Sequence, residues 1–368
     1  MASFRKRGTT WQYRIKYQDP VTGKPKEKSK SGFTTKKEAQ IEAAEIEKKL
    51  YLRQHTIIQS QEKLIKDWLS EWLEVYGQQC EKKTLINREW YTNKHLIPNL
   101  GNYKMNQLSK VEYQKFINIL IDQGFARKTI QTIHSIFCTA INKAVELEMM
   151  SHNKYRGISI KFDEEDKINY LTREEVDVFM NAAKNSPFHH YTMASILLRT
   201  GLRKGEMLAL TWNDIDLENN IISVTKTRSD YGVKKPKTKS SYRKIGIDDT
   251  LVSVLKQYQL WQKKNKLKYG QNYQESEFVI TSPNGKALGE YGVNKAIDSI
   301  LAKTDLHHIT PHGLRHTHAI MLLESGADIK FVSDRLGHAT VNMTADVYLH
   351  ITKKYEEANL LNLEAYLS

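Results

Sequence analysis

The chain has 368 residues, 40% of them hydrophobic and 27% charged, and its formal net charge is +14. This length exceeds what one hydrophobic core usually organises, so two or three domains are expected. No uninterrupted apolar run approaches the roughly 18 residues of a membrane-spanning helix, and no apolar stretch follows the basic N-terminus, as it would in a secretory signal. We therefore expect a cytoplasmic protein.

The two cysteines, Cys80 and Cys138, each lie in a segment with helical periodicity. Two isolated thiols do not form a disulfide framework or a cysteine-based metal site. We expect both to be packing residues.

The positive charge is concentrated near the N-terminus. Residues Met1 to His55 hold 14 Lys or Arg against 6 Asp or Glu, which is more than half of the excess in about one seventh of the chain. Cations in such excess repel one another unless a polyanion neutralises them. The distribution favours nucleic acid as the partner.

Residues 1–55 predict three short strands and a helix. Trp11 to Tyr17 alternates aromatic or branched residues with polar ones, as a strand does, and Asp19 to Gly23 is a turn. Lys24 to Lys30 is a further strand candidate, and Thr35 to Leu52 is a helix. The alternative is a small domain whose charges face water. Its cations would then crowd one sheet without carboxylates to neutralise them, whereas the phosphate backbone of a nucleic acid would neutralise them. The cations concerned are Arg14, Lys16, Lys26, Lys28 and Lys30.

Residues 62–150 predict an all-α bundle. Apolar residues recur at helical spacing from Leu64 to Tyr76 and from Ile130 to Val145, and Ser109 to Glu112 has the sequence of a capping box. We expect the aromatic residues here to form a core rather than to stack on bases. Residues 151–169 have no clear apolar period and carry Gly, Asn and mixed charges, so they are predicted to be a linker.

Residues 170–368 predict a mixed, mainly α domain with a small antiparallel sheet, which makes the whole chain a multidomain α+β protein. The domain begins at a second capping box, Thr172 to Glu175. Two segments, Ile221 to Thr227 and Tyr242 to Ile247, are predicted strands. Helices are expected at Thr172 to Ala183, Tyr191 to Thr200, Lys204 to Leu210, Asp249 to Lys268 and Gly313 to Ser325.

Five short segments of this last domain carry residues suited to phosphate chemistry. Arg203 follows a Thr-Gly turn where a helix begins, a place that suits an anion. His312 and Arg315 share one face of a helix, and Gly337 ends the preceding helix so that His338 can turn inward. The segments are Thr200 to Glu206, Pro236 to Ser241, His312 to His316, Leu336 to His338 and Tyr348 to His350.

The order of these residues, Arg, Lys, His-x-x-Arg, His and a Tyr ten residues later, resembles the signature of the tyrosine recombinase family. The likeness is most specific from Leu171 onward, where Ile309 to His318 and Leu336 to Thr340 read almost as family consensus. Ile97 to Gly101 resembles the core-site binding domain, and the N-terminus resembles the arm-site binding domain of phage and conjugative-element integrases. The resemblance implies an arm-site DNA-binding domain at 1–55, a SAM-like core-site DNA-binding domain at 62–150 and a catalytic domain with a C-terminal tail at 170–368.

The resemblance also implies a role for each matching residue. Tyr348 would be the nucleophile of DNA strand cleavage and rejoining, forming a 3′-phosphotyrosyl intermediate. Glu206 matches the family's acidic position and would orient or buffer the cluster. No metal, ATP or other cofactor is implied. The remaining roles are phosphate binding for Arg203 and Arg315, proton transfer at the tyrosine for His312, a phosphate hydrogen bond for His338, and protonation of the leaving 5′ oxygen for Lys239.

The implied partner is double-stranded DNA with core and arm attachment sites, recombined for the integration and excision of a mobile element. By resemblance, a homotetramer assembles on this DNA through the C-terminal tail, although the tail could instead pack on its own domain. An accessory DNA-bending or excision factor is a further possible partner, and the place of action is a bacterial cytoplasm, at the nucleoid. The apolar residues of the tail are Leu360, Leu361, Leu363, Tyr366 and Leu367.

Three other functions fit fewer of these residues. A zinc hydrolase is suggested by His312, His316 and His318, but Gly313 stands where zinc peptidases place a glutamate. A DNA-binding regulator without catalysis would not need the complete set. A type IB topoisomerase shares much of the chemistry, yet the separate basic N-terminal block favours an enzyme that acts at defined sites.

Overall fold

The computed structural model describes residues 2–18, 24–51, 63–162, 169–235, 239–338 and 340–341. Contacts divide the chain into two compact units, Met1–Glu164 and Glu165–Ser368. The elements are those of the predicted multidomain α+β class: a small sheet with one helix, a helical bundle, and a mainly helical part with small sheets. Among the described residues, no helix combines the length and the apolar character needed to cross a membrane.

The N-terminal residues form three antiparallel strands covered by one helix, as the sequence predicted. The period of two along the second strand turns Tyr13 and Ile15 to the same side. Both are buried against Ala39 and Ala43 of the helix. The predicted turn at Asp19 to Gly23 lies outside the described residues. The elements are β1 Ser3–Arg7, β2 Thr10–Gln18, β3 Pro25–Phe33 and α1 Lys36–Tyr51.

The helical bundle has an aromatic core, as expected, but Trp90 is 48% exposed and does not belong to it. Trp68 is fully buried and its indole N–H donates to the Ala140 carbonyl at 3.1 Å. Tyr113 stacks on Phe137 with 4.7 Å between ring centroids. The predicted capping box at Ser109 is also present. The helices are α2 Ile65–Tyr76, α3 Lys82–Tyr91, α4 Ile97–Leu100, α5 Lys110–Asp122 and α6 Arg127–Glu146.

The first part of the predicted linker, 151–169, packs on this bundle. Tyr155 is fully buried, and its hydroxyl donates to the Leu108 carbonyl at 3.0 Å. Ile158 and Phe162 are half-buried against the same core. Tyr155 lies in a turn, and Ile158 and Phe162 lie in irregular chain, so no helical or strand period revealed their packing. Residues 163–168 lie outside the described residues.

The second unit is built around one buried helix. Its helices are α7 Arg173–Lys184, α8 Phe188–Thr200, α9 Lys204–Ala209, α10 Asp249–Tyr269, α11 Glu290–Leu301, α12 Pro311–Glu324 and α13 Ile329–Leu336. Residues 192–198 of α8 are all buried, because α7, α10, α11 and α12 pack around it.

The strands of this unit are β4 Ile215–Asp216, β5 Ile221–Val224, β6 Thr227–Ser229, β7 Gly232–Lys234 and β8 Arg243–Gly246. They form an antiparallel sheet, in the order β4-β5-β8, and a separate hairpin of β6 and β7.

Two differences from the sequence prediction concern this unit. The strand expected at Ile221 to Thr227 is two elements, since β5 ends at Val224 and the hairpin begins at Thr227. Helix α11 was not predicted, although Val293, Ala296, Ile297 and Ile300 recur at helical spacing on its buried face.

Candidate active site

Arg203 lies where the chain turns from α8 into α9. Gly201 ends α8 in the left-handed conformation, with φ of 65°, and the backbone N–H of Arg203 then donates to Glu206 Oε2 at 2.9 Å. The guanidinium donates from Nη1 to Glu206 Oε1 and from Nη2 to the Gly337 carbonyl, both at 2.8 Å. Its side chain remains 35% exposed. The group is therefore fixed on one side and open to a ligand on the other.

Glu206 is a buried carboxylate shared by two arginines. It is 3% exposed. Besides Arg203 it binds Arg243, whose Nη1 and Nη2 donate to Oε1 at 3.1 Å and to Oε2 at 2.8 Å. Burial alone would raise the pKa of Glu206, but the hydrogen bond from Arg243 and the charges of both arginines lower it below its usual value. Glu206 is therefore ionised, and it holds the two guanidiniums in place.

Arg315 is a buried guanidinium, 2% exposed. Its Nη1 donates to the Gly201 carbonyl at 2.8 Å and its Nη2 to the Leu336 carbonyl at 2.7 Å. Burial first, and then the charge of Arg203, lower its pKa to about 9, so it is still a cation at neutral pH. Within the described residues this cluster sets three guanidiniums against one carboxylate. The excess positive charge suits a phosphate.

The end of α13 fixes all three guanidiniums. The last carbonyls of a helix have no partner within the helix and lie at the negative end of its dipole. Here the carbonyl of Arg335 accepts from Arg243 Nε at 2.6 Å, that of Leu336 from Arg315, and that of Gly337 from Arg203. Three consecutive carbonyls thus orient three side chains that come from three different elements.

Gly337 and His338 follow directly. Gly337 has φ of 69°, and a Cβ there would lie 2.9 Å from Arg243 Nη1 and from the Ser240 carbonyl oxygen. The turn brings His338 beside the cluster. Burial first, then the charges of Arg315 and Arg203, lower the pKa of His338 to about 4. The imidazole is therefore neutral at physiological pH in the DNA-free protein.

The three histidines of α12 do not form a metal site. The rings of His312 and His316 meet edge to face, with 4.4 Å between their centroids. His318 Nδ1 donates to the Leu198 carbonyl at 2.8 Å, while its Nε2 accepts from Arg335 Nε at 3.0 Å. With both nitrogens engaged, His318 cannot serve as a third zinc ligand beside His312 and His316. No group of three or more His, Cys, Asp or Glu residues in the described parts of the chain is placed to hold a metal.

An open cavity of about 560 Å³ borders the cluster. The residues that line it include Arg203, His312, Ser229 of the β6-β7 hairpin and Asn294 of α11. A ligand in this cavity would reach the open side of Arg203.

The structure brings together five of the predicted site residues and leaves two undescribed. Lys239 begins a short 3-10 turn, Lys239–Ser241, directly before β8, but its side chain lies outside the described residues. Tyr348 lies outside them as well, and so does the tail after it. The five residues brought together are Arg203, Glu206, His312, Arg315 and His338.

The strand register divides the basic residues of the N-terminal sheet between its two faces. Residues paired across an antiparallel ladder point to the same side. Lys26, Lys28 and Lys30 pair with Tyr17, Ile15 and Tyr13, on the side covered by α1. Arg14 and Lys16 point to the opposite face, the uncovered face, on which α1 does not pack.

Two of these cations have carboxylate partners, so the expectation of a sheet without carboxylates was wrong. Arg14 lies 3.6 Å from Glu27, and Lys30 lies 2.9 Å from Glu42 of α1. Sequence analysis also missed exposed Arg5, which pairs with Gln12 and therefore shares the uncovered face with Arg14.

Comparison with known proteins gives a consistent result along the chain. The profile described as "Phage integrase family" matches residues 169–355, "Arm DNA-binding domain" matches 3–50, and "Phage integrase, N-terminal SAM-like domain" matches 64–121. A curated relative, the tyrosine recombinase XerC-like protein of Caldanaerobacter subterraneus subsp. tengcongensis, is 30% identical over 345 residues, covering 87% of each chain.

Two solved structures have a similar fold. The integrase of transposon Tn1549, in complex with transposon right end DNA, is 21% identical with a TM-score of 0.69, and the match covers 82% of this chain and 99% of that one. A lambda integrase tetramer bound to a Holliday junction is 20% identical with a TM-score of 0.61, and that match covers 94% of both chains.

Proposed function

The chain belongs to the phage integrase family and is a DNA breaking and rejoining enzyme, and from that premise we propose that it recombines the attachment sites of a mobile element through Tyr348. The observation that carries this proposal is the cluster in which half-exposed Arg203 joins buried Arg315 and buried Glu206 beside an open cavity. Such a cluster is organised before any ligand arrives, which is the condition under which electrostatic stabilisation of a transition state is strongest.

The proposed chemistry is a phosphoryl transfer to a phenol. An unperturbed tyrosine has a pKa near 10, so only about one molecule in a thousand is a phenolate at neutral pH. Arg203 and Arg315 would bind the non-bridging oxygens, whose negative charge grows as the phosphorus becomes five-coordinate. His338, neutral before DNA binds, would add a hydrogen bond to the same phosphate.

Each bond formed is matched by a bond broken. The Tyr348 oxygen bonds to phosphorus while the bond to the 5′ oxygen breaks. His312 assists removal of the phenolic proton, and Lys239 supplies a proton to the leaving 5′ oxygen. The products are a 3′-phosphotyrosyl link and a free 5′ hydroxyl. A 5′ hydroxyl of the partner DNA then reverses the step, so that ATP is not consumed.

The proposal assigns the three parts of the chain to different stretches of DNA. Residues 1–55 would bind arm sites, and residues 62–150 would bind the core site together with residues 170–368, which carry the catalytic side chains. Four copies would assemble on the DNA and exchange strands through a four-way junction. The apolar tail residues from Leu360 to Leu367 would dock on a neighbouring copy. The reaction would take place at the nucleoid in a bacterial cytoplasm, with a bending or excision factor setting its direction.

The direct test replaces the proposed nucleophile. Tyr348→Phe should bind attachment-site DNA with unchanged affinity and form no covalent adduct on a denaturing gel, because only the attacking oxygen is lost. Wild-type protein, which should form the adduct in the presence of a chelator, is the control. An adduct that persists in Tyr348→Phe would refute the assignment.

A further inference from the structure

Arg243 makes more connections within the active site than any role in simple packing requires. Its side chain is 7% exposed. Four hydrogen bonds lead from it to three separate parts of the unit: two to Glu206, one to the Arg335 carbonyl and one to the Ser241 carbonyl at 3.2 Å. A guanidinium has five N–H donors. Four of them are therefore already committed in the DNA-free protein.

This arrangement argues against Arg243 as a phosphate ligand. A bidentate grip on a phosphate needs two parallel free N–H groups, and the bonds to described residues alone leave Arg243 with at most one. Arg203 differs, because its guanidinium makes two hydrogen bonds among the described residues and its side chain is 35% exposed. Arg243 therefore acts on the site through its neighbours.

The first of these neighbours is Glu206. Breaking a buried ion pair by removing one partner leaves an uncompensated charge. Without Arg243, the buried carboxylate of Glu206 would depend on Arg203 alone, which would draw that guanidinium inward and away from the cavity.

The second neighbour is the turn that carries Lys239. The bond to the Ser241 carbonyl fastens the Lys239–Ser241 turn to the guanidinium. The Ser240 carbonyl lies so close to Gly337 that a Cβ there would be 2.9 Å away. The bond to the Arg335 carbonyl ties the same guanidinium to the end of α13, three residues before His338. Arg243 thus joins the Lys239 turn to the helix end that orients Arg203 and Arg315.

We propose that Arg243 is a positioning residue that sets the Lys239 turn at a fixed distance from the phosphate-binding arginines, so that Lys239 meets the leaving 5′ oxygen. The inference rests on the proposed function, in which Lys239 is the general acid. Arg243, which was not among the predicted site residues, thereby sets the geometry of the proton-transfer step.

The test uses single-turnover cleavage of attachment-site DNA whose scissile bridging atom is either the 5′ oxygen or sulfur. A leaving alkoxide must be protonated, whereas a thiolate can leave without a proton, because an ordinary thiol has a pKa near 8.5. The variants are Arg243→Lys, Lys239→Ala as the general-acid reference, and Arg315→Lys as the matched arginine whose loss should affect both substrates. Arg243→Lys keeps a cation beside Glu206, so that Arg203 stays in place, but it lacks the guanidinium that reaches the Ser241 and Arg335 carbonyls at the same time.

We expect Arg243→Lys to cleave the oxygen substrate roughly 10²-fold more slowly, within the range that general-acid catalysis contributes. On the sulfur substrate its rate should return to within about tenfold of wild type, as should that of Lys239→Ala, since neither then needs the proton. Arg315→Lys should stay slow on both substrates. DNA affinity should be unchanged in Arg243→Lys, which separates positioning from binding.

The outcomes separate the inference from the function on which it rests. If sulfur rescues Lys239→Ala but not Arg243→Lys, or if Arg243→Lys cleaves the oxygen substrate at the wild-type rate, the inference is overturned and the proposed function stands. If sulfur rescues neither while Tyr348 still forms its adduct, the general-acid assignment and the inference fail together.

Folding is checked on the same samples by the thermal midpoint. If Arg243→Lys does not fold, the double variant Arg243→Met with Glu206→Gln removes the buried charge together with its partner, which buried ion pairs tolerate better than the loss of one member. Its rates on the oxygen and sulfur substrates are then compared with those of Glu206→Gln alone, so that any effect of the lost carboxylate on Arg203 is common to both proteins. The same rescue relative to that reference is expected, and its absence refutes the inference.

Discussion

Two basic regions of this chain differ in how their cations are held. In the active site Arg315 is 2% exposed and Arg243 is 7% exposed, and backbone carbonyls or Glu206 aim their N–H groups. On the uncovered face of the N-terminal sheet, Arg14 and Lys16 are exposed, and Arg14 Nε lies 3.6 Å from Glu27 Oε1.

The difference separates catalysis from affinity. A buried guanidinium loses its hydration during folding, so it can stabilise a transition state without reorganising at the moment of reaction. An exposed cation acts mainly by releasing counterions from the DNA, an effect that salt weakens. We therefore expect the active site to respond to pH and to single-atom changes, and the sheet to respond to ionic strength.

The largest effect should follow from the loss of one buried guanidinium. Arg315→Gln should slow formation of the covalent adduct by roughly 10²- to 10³-fold, as removal of one donor to a developing charge does elsewhere. Quenched-flow cleavage at saturating enzyme measures this rate. The matched control is Arg173→Gln, which removes an exposed arginine paired with Asp177 and should leave the rate unchanged and shift the free energy of unfolding by less than about 0.5 kcal/mol. An equal effect of both variants would break the comparison.

A smaller effect concerns pH and the buried His318. Burial first, then the charge of Arg335, lower its pKa to about 3. The folded state therefore binds this proton less readily than the unfolded state, whose histidine has a pKa near 6.5. The contribution to stability is complete above about pH 6.5 and is lost as the pH falls from there toward about 3, by up to about 1.4 kcal/mol per pH unit.

His318→Gln should flatten this dependence, because glutamine can still accept from Arg335 but does not titrate in that range. The thermal midpoint of both proteins, measured from pH 7.5 to pH 4.5, gives the difference. A variant with the same pH slope as wild type would show that His318 titrates normally.

The smallest effects are expected on the sheet. Arg14→Gln and Lys16→Gln, on the uncovered face, should each reduce the slope of the logarithm of the arm-site binding constant against the logarithm of the salt concentration. The expected reduction is roughly the contribution of one phosphate contact. Lys26→Gln, on the side covered by α1, is the matched control and should lower it less. Binding isotherms between about 50 and 200 mM salt measure the slope. Equal losses on the two sides of the sheet would contradict the division by register.

Much of the fold followed from local pattern. The alternation of Tyr13 and Ile15, the capping boxes at Ser109 and Thr172, and the Thr-Gly turn before Arg203 all depend on residues that are close in sequence. The packing of Tyr155 could not be predicted in this way, because its partner Leu108 lies 47 residues away.

The site was predictable to a similar extent. Its order along the chain identified Arg203, His312, Arg315 and His338, which the fold brings together. Arg243 escaped because its function depends on contacts with Glu206, 37 positions earlier, and with Arg335, 92 positions later. A basic residue in a short strand carries no signal of that kind in its own neighbourhood.

The glycines at the two turns have a consequence for protein engineering. At Gly201 a Cβ would lie 2.6 Å from His318 and from Leu336, and at Gly337 it would lie 2.9 Å from Arg243. Both also have positive φ, which most other residues adopt only under strain. Randomised libraries intended to retarget this enzyme to new genomic sequences should keep both codons fixed, since diversity introduced there would yield clones that fail before target choice is tested.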